Sequence, residues 1–484
     1  MLHRVRLIVR LAAISMIPSS SISAAVEPPR PVSPIPSPPQ LAWQRMETNL
    51  FVHFTVNTFT DREWGDGTEP ESVFNPTRLD ARQWARAAKA GGFRMVVLTA
   101  KHHDGFCLWP SRYTEHSVKN SPWKGGKGDV VGDLAQACRL EGLKLGLYLS
   151  PWDRHESTYG DSPRYNAYYR HQLTELLSDY GPISEIWFDG ACGEGPNGKR
   201  QEYDWKSYIA LIRRLQPNAV VFSDAGPDIR WIGNEQGLAG DPNWAPVDPA
   251  RVPSPGISGS DTTDALQHGD KNGTTWRPGE CDVSIRPGWF WHKQEDTRLR
   301  SVENLVDLYF GSVGRNSVLL LNVPANQAGL LGDLDVQRLK GFRARLDAIF
   351  RTDVARGKPA KASNTRGGSA FYSAGKALDG SDATYWATDD GITSGWMEID
   401  LGKPTRFNVA SLQEFVSLGQ RVEAYHIEFL DGGTWRPIIS GTTIGLKKLD
   451  RFPAVTARRV RLVIDRARAC PTIQAFGLFN DKSR

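Results

Sequence analysis

"KLGLYLSPWDRHE" occupies Lys144–Glu156 and "EIWFDGA" occupies Glu185–Ala191. Each is a short apolar run that stops abruptly in charge and aromatic rings. A buried strand excludes unpaired charge, because an ionised group is costly in apolar surroundings. Asp189 follows directly on Ile186, Trp187 and Phe188. It is therefore expected at the tip of a strand, as a working group and not a packing element.

The pattern repeats on both sides. "LFVHFTV" from Leu50, "RMVVLTAKHHDGF" from Arg94, "AVVFSDA" from Ala219 and "SVLLLNVPAN" from Ser317 read as further strands. Between them, "LDARQWARAAKAGG", "VVGDLAQACRLEGL", "YNAYYRHQLTELLSDYG", "WKSYIALIRRLQP" and "SVENLVDLYFGSVG" have helical spacing. Such alternation predicts parallel strands with crossover helices, and its length favours a (β/α)8 TIM-like barrel. An open doubly wound sheet would begin with a glycine-rich turn; "GDGTEP" at Gly65–Pro70 has no such pattern. In a barrel, the polar residues at the C-terminal strand ends converge on one mouth. Here these are His53; His102, His103 and Asp104; Tyr148 and Trp152; Asp189; and Asp224.

After Phe350, alternating runs such as "WMEIDLG", "AYHIEFLDGGTWRPI" and "RRVRLVID" are separated by Gly- and Asp-rich turns. They predict an all-β sandwich. The N-terminus combines basic residues, an apolar stretch and small residues near Ser23–Ala25, the layout of a signal peptide. The expected organisation is a signal peptide at 1–25, an extended, mobile Pro-rich linker at 26–40, the barrel at 41–355 and the sandwich at 356–484. Export implies a secreted or periplasmic protein. No later stretch reaches the ~18 apolar residues of a membrane span. Five cysteines match no zinc spacing, and one or two disulfides would suit export. Net charge is +5 with both signs interspersed. The one dense basic run, "ARRVRLVIDRARA" at Ala457–Ala469, alternates with apolar residues, which predicts a strand with a solvated face and not a nucleic-acid site.

Adjacent residues on a strand point to opposite faces, so His102 and His103 reach one centre only where the strand has ended. No HExxH, cysteine pair or aspartate cluster completes a metal shell. Hydrogen bonding to a hydroxyl-rich ligand is expected, with no metal. A rim of His, Trp, Tyr and carboxylates points to carbohydrate. Glycoside hydrolysis uses two carboxyl groups across the scissile bond. Asp189 is the candidate nucleophile; the candidates for its partner are Glu63, Asp224, Glu235 and Glu280. Glu235 lies in "RWIGNEQG", Arg230–Gly237, beside Trp231. Partial burial there would raise its pKa, as a general acid requires. Glu280 is next.

"HFTVNTF", "KHHDGFCLWPS", "GLYLSPWD", "EIWFDGA", "WIGNEQG" and "SIRPGWFWH" together resemble glycoside hydrolase family 29, the retaining α-L-fucosidases. The resemblance covers most of Leu50–Phe350. It implies that Asp189 is the nucleophile and that His53, His102, His103, Tyr148 and Trp187 hold the fucose or line its pocket, joined by Glu63 and Trp64. It implies Phe290 against the sugar's C6 methyl group, with Trp289 lining the same pocket. The "GNE" context resembles the branch that cleaves α1,3- and α1,4-linked fucose from branched Lewis-type glycans, which implies Glu235 as acid/base. The implied activity is exo-acting hydrolysis by double displacement on a fucosylated oligosaccharide or glycoconjugate. Rival readings are a broad fucosidase acting on simple or α1,2/α1,6-linked fucosides, and a dead fucose-binding lectin; two carboxylates argue against the lectin. "GKALDGSDATYWAT", "GWMEIDLG" and "RRVRLVI" resemble a discoidin-like, coagulation-factor type C domain, similar to family 32 carbohydrate-binding modules. Such domains often hold a structural Ca2+, here implied at Lys376 (carbonyl), Asp379, Ser381 and Thr384. The closing "PTIQAFGLF" lacks the acidic residue relatives often carry, which weakens a hard-cation site. No other cofactor is expected.

Overall fold

Eight parallel strands close into a barrel in the computed structural model, which describes residues 26–483. The signal peptide expected at 1–25 lies outside the described residues. The strands are β1 (Thr48–Val52), β2 (Met95–Lys101), β3 (Lys144–Leu149), β4 (Glu185–Trp187), β5 (Val220–Ser223) and β6 (Ile229–Trp231). A short antiparallel ribbon follows, β7 (Pro246–Val247) with β8 (Thr275–Trp276), then β9 (Gly279–Ser284) and β10 (Val318–Asn322). β10 pairs with β1, Asn49 opposite Leu320, and closes the ring.

Helix α1 (Pro38–Gln44) precedes β1. Short α2 (Val56–Thr60) and α3 (Ala81–Ala90) follow it, then α4 (Val130–Glu141), α5 (Ser162–Asp179), α6 (Trp205–Leu215), α7 (Ser260–His268), α8 (Val302–Gly311) and α9 (Asp333–Phe350). Local sequence sets their limits. In α4 the Asp129 carboxylate accepts the Gly132 N–H and starts the helix; Gly142, at φ +73°, ends it.

The period of two along each strand separates two layers. Leu50, Val96, Leu98, Leu147, Ile186, Val221 and Leu321 face the helices. Phe51, Val97, Tyr148, Trp187, Phe222 and Leu320 fill the barrel interior. The interior leaves no space at Gly146, where a Cβ would lie 2.8 Å from Val97 Cγ2. Asp189 is two residues beyond Trp187 and so shares its inward direction.

Regular strand–helix alternation fails at one point. β5 and β6 are parallel neighbours, with Phe222 opposite Ile229, yet only residues 224–228 join them. Parallel pairs ordinarily need a longer crossover. Asp228 holds the tight return: its carboxylate accepts the Val221 N–H at 2.8 Å and the Arg213 guanidinium of α6 at 2.6 and 2.7 Å.

The Pro-rich segment is not a mobile linker. Val32 N–H donates to Leu418 O at 2.9 Å, and Arg421 and Arg366 donate to the carbonyls of Arg30 and Glu27 at 2.7 and 2.6 Å. A proline-rich chain forms no internal ladder, so its carbonyls are free to accept such donors. α1 then closes the bottom of the barrel, with Gln40 donating to the carbonyls of Asp228 and Trp276.

The C-terminal domain is antiparallel: β11 (Ala360–Ala362), β12 (Trp386–Ala387), β13 (Gly395–Glu414), β14 (Val422–Asp431), β15 (Thr434–Gly441), β16 (Lys448–Ala467) and β17 (Thr472–Phe479). β13 and β16 run 20 residues each and shift register between Asp400 and Thr405, and again between Phe407 and Val409. Such bulges bend long strands around a core, here Trp386, Met397, Ile399, Leu412, Leu462 and Phe476. The basic run lies on β16, where Arg459 and Arg461 both reach Glu398, Arg458 pairs with Asp400, and Arg466 pairs with Glu423. All five cysteines are free, so the expected disulfides do not form; Cys192 is exposed and the other four are buried. None of the described helices is long and apolar enough to cross a membrane.

Candidate active site

A cavity of about 340 Å3 opens at the C-terminal mouth of the barrel. It is lined by Asp189, Asp224, Glu235, His53, Glu63, Trp64, His102, His103, Tyr148, Trp187 and Trp289; of the residues singled out for the site, Phe290, Asp104, Trp152 and Glu280 do not line it. Phe290 is fully buried. It meets the His53 and His102 rings edge-on, with centroids 5.3 and 5.0 Å away, and so backs the histidines instead of facing a ligand. Trp152 likewise backs His103, 5.0 Å away. Asp104 is buried beneath the site, taking the Thr55 hydroxyl at 3.0 Å and the Phe106 N–H at 2.7 Å; burial pushes its pKa up to about 7. Glu280 also fails as a rim acid: it is fully buried under the floor, on β9.

Asp189 is held at both oxygens. The Tyr148 hydroxyl donates to Oδ2 at 2.9 Å and the Ala191 N–H donates to Oδ1 at 2.8 Å. His103 Nε2 is 3.7 Å from Oδ2. These contacts fix the carboxylate's direction and leave it part-exposed to the cavity.

Burial holds all three histidines below the usual imidazole range, His53 at about 4. They are therefore neutral near pH 7, each with one donor and one acceptor nitrogen. Neighbours assign the tautomers. Asn322 donates its amide N–H groups to Ser284 Oγ and Trp289 O, so its oxygen accepts from His53 Nδ1 at 2.8 Å. His53 Nε2 is then a free acceptor. Ser150 donates its hydroxyl to Trp152 O, so it accepts from His103 Nδ1 at 2.7 Å, and His103 Nε2 is the acceptor beside Asp189. His102 Nδ1 is buried without a protein partner. The wall is thus set to receive hydroxyl protons.

Glu235 stands at the rim, on the loop after β6. The Trp289 indole N–H reaches its Oε2 at 3.3 Å. Its residue surface is exposed, yet the protein around the carboxyl withdraws enough water to raise its pKa; the negative charges of Asp189 and Glu63 add to this. Glu63 pins the turn that carries Trp289. Its carboxylate accepts the N–H of Trp289 at 2.8 Å and of Phe290 at 3.1 Å, and meets His292 at 2.6 Å.

Two further carboxyls line the cavity. Asp224 accepts the Gly256 N–H at 2.7 Å and so ties down the loop bearing Ile257 and Ser258; burial pushes its pKa up to about 6. Asp282 was not among the expected site residues. It accepts the Trp231 indole N–H at 2.8 Å, and burial, with the charges of Glu235 and Asp189, pushes it up to about 8. Its signal was present: Glu280, Asp282 and Ser284 make a polar stripe at strand spacing.

In the C-terminal domain the Thr384 hydroxyl lies 2.8 Å from Asp379 Oδ1 and 3.4 Å from the Lys376 carbonyl, and the Ser381 N–H donates to Asp379 Oδ1 at 2.9 Å. These oxygens suit a hard cation, but they include one carboxylate, with Lys376 Nζ 4.0 Å from it.

The alpha-L-fucosidase family model matches residues 40–347, and the F5/8 type C domain model matches residues 359–473. Alpha-L-fucosidase 1 of Arabidopsis thaliana is 45% identical, over 97% of this chain and 92% of its own length. The crystal structure of SpGH29 superposes with a TM-score of 0.88 at 41% identity, covering 94% of this chain and 100% of that one. A Ruminococcus gnavus GH29 fucosidase in complex with fucose superposes with a TM-score of 0.87 at 35% identity, covering 96% and 98%.

Proposed function

The chain belongs to the alpha-L-fucosidase family, and on that premise we propose that it is an exo-acting retaining enzyme that removes α1,3/α1,4-linked fucose from branched, Lewis-type glycans. The observation that supports the double-displacement part of this reading is the unequal pair of carboxyls on one cavity; the linkage preference rests on the "GNE" sequence context of Glu235. Asp189 is oriented by Tyr148 and Ala191, whereas Glu235 is held above its usual pKa range at the rim. The first suits a nucleophile and the second a general acid.

Asp189 attacks the anomeric carbon while Glu235 protonates the departing glycosidic oxygen. The fucosyl ester removes the charge of Asp189, so one of the influences raising the Glu235 pKa disappears. Glu235 then takes a proton from water, which opens the ester with net retention. The neutral histidines accept hydroxyl protons, and the floor of Trp187 and Tyr148 stops the chain beyond one sugar, as exo action requires. Trp231, Ile257 and Ser258 also line the cavity, and on this reading they would meet the sugars beyond the scissile bond. Contacts to a second branch would supply binding energy used in the transition state.

Parallel turnover of a para-nitrophenyl fucoside, Lewis a or Lewis x trisaccharide, and fucose α1,2-linked to galactose tests the reading. The trisaccharides should exceed the α1,2 disaccharide by at least about tenfold in kcat/KM. Equal rates would remove the branched-glycan assignment and leave the fucosidase activity standing. Catalysis on this account uses no metal, so a chelator should leave turnover unchanged. Loss restored by zinc would refute that, and loss restored by calcium would place a needed cation at Lys376–Thr384. We further place the enzyme outside the cytoplasm, on the sequence of residues 1–25.

A further inference from the structure

Beneath Trp187 the barrel holds two carboxyl groups that the hydrolytic chemistry does not use. Glu185 begins β4 and Glu280 lies on β9, with β5 and β6 between those strands. Both are fully buried. Each gives one oxygen to an indole. Trp43 of α1 donates to Glu185 Oε2 at 2.9 Å from below, and Trp187 donates to Glu280 Oε1 at 2.9 Å from above. The remaining oxygens, Glu185 Oε1 and Glu280 Oε2, receive no donor from any other described residue. The two carboxyl groups act on each other through a side-chain hydrogen bond.

Two carboxylates hydrogen-bond only if one is protonated. The same interior holds Met95, Val97, Val220, Ile229 and Val318, and also the buried, uncharged amide of Asn49 on β1. A further titratable group acting on the pair is Asp282, another carboxyl, and no ion pair joins either glutamate to a cation among the described residues. We propose that Glu185 and Glu280 share a proton across the barrel interior and act as positioning residues that orient Trp187, the aromatic floor of the sugar cavity.

The contacts above the pair give that orientation consequence. Trp187 stacks on Phe222 with ring centroids 4.2 Å apart at 12°, and on Tyr148 at 5.2 Å and 28°. Tyr148 in turn donates to Asp189. With its N–H directed down to Glu280, the indole has one orientation in which it is satisfied. Turned over, it leaves a buried donor unpaired and shifts the ring on which Tyr148 rests.

The pair also marks the protein's pH response. Burial raises both carboxyls, Glu185 to about 7. The folded state therefore keeps a proton that the unfolded chain, with ordinary glutamates near 4.5, releases. Stability contributed by the pair is present below about 4.5 and is lost as pH rises toward 7.

The test uses Glu280→Leu, Glu280→Gln and the double variant Glu185→Gln/Glu280→Gln. An amide at 280 still accepts from Trp187 and donates to Glu185 without needing a proton; leucine does neither. Glu280→Gln should keep kcat/KM on an aryl fucoside and affinity for free fucose within about threefold of wild type. Glu280→Leu, assayed well below its melting temperature, should lose about tenfold or more in both. If leucine prevents folding, the amide variants still decide. The double variant should fold, retain activity and show a smaller fall in Tm between pH 4.5 and 7 than wild type. Glutamine as damaging as leucine, leucine without effect on fucose affinity, or an unchanged Tm profile in the double variant would each overturn the proposal.

Discussion

On the proposed mechanism, Glu235 is the residue on which acid/base chemistry turns. Its raised pKa means that it keeps the proton needed for the first step above the ordinary carboxyl range, and loses it as pH rises. The alkaline limb of kcat/KM should therefore report Glu235. In Glu235→Ala that limb should disappear for an activated aryl fucoside. The loss should be much larger on a trisaccharide, whose leaving group needs the proton, than on the aryl substrate. Azide needs no general base, so it should restore turnover of the aryl substrate and yield fucosyl azide. An unchanged alkaline limb, or equal losses on the two substrates, would reassign the role. Glu280 is no competitor for it, being sealed under Trp187.

At the scale of elements, the turn Gly288–His292 depends on Glu63, which takes two of its backbone N–H groups and the His292 ring. Glu63→Ala leaves those donors without their acceptor, at a cost of about 1–3 kcal/mol. It should lower Tm and, by freeing Trp289 beside Glu235, reduce kcat/KM at least about tenfold. A fall in Tm with unchanged kinetics would show that the turn serves stability alone. The elements also show what was legible beforehand. Strand-end residues such as His53, His102, Tyr148 and Asp189 could be read because an apolar run ending in polar residues has one meaning in a barrel. β9 could not, because Glu280 and Asp282 break the apolar pattern of a buried strand; their partners, Trp187 and Trp231, lie far away in the chain. Phe290, which the resemblance implied against the sugar's methyl group, lies behind His53 and His102, a placement that its neighbours in sequence do not announce. The tight β5–β6 return rests on Asp228 and Arg213, a pair that no local pattern announces.

For the whole molecule, the two domains are joined by polar groups, most of them buried, on the segment that follows Glu235. Lys448 pairs with Asp241 at 2.6 Å, Thr443 accepts the Asn243 N–H at 2.9 Å, and Gln420 bridges the Asn243 carbonyl and the Ala245 N–H at 3.0 and 2.8 Å. Ala245, Trp276 and Val416 pack in one apolar cluster across the junction. A detachable binding module would not be built in this way. A protein of residues 26–355 should therefore be poorly soluble or lack turnover of an aryl fucoside, whereas a soluble, fully active barrel would show that the second domain is dispensable. The Pro-rich strap adds to the same join by tying residues 27–32 to Arg366, Leu418 and Arg421.

The central claim is that Asp189 forms a covalent bond to fucose. It is tested most directly by trapping that intermediate with a 2-deoxy-2-fluoro-fucosyl fluoride, which forms the ester readily and hydrolyses it slowly, and then mapping the labelled peptide by mass spectrometry. The account predicts one fluorofucosyl group per chain, carried by Asp189. A label on any other residue, or release of product with inverted anomeric configuration and no adduct, would contradict it.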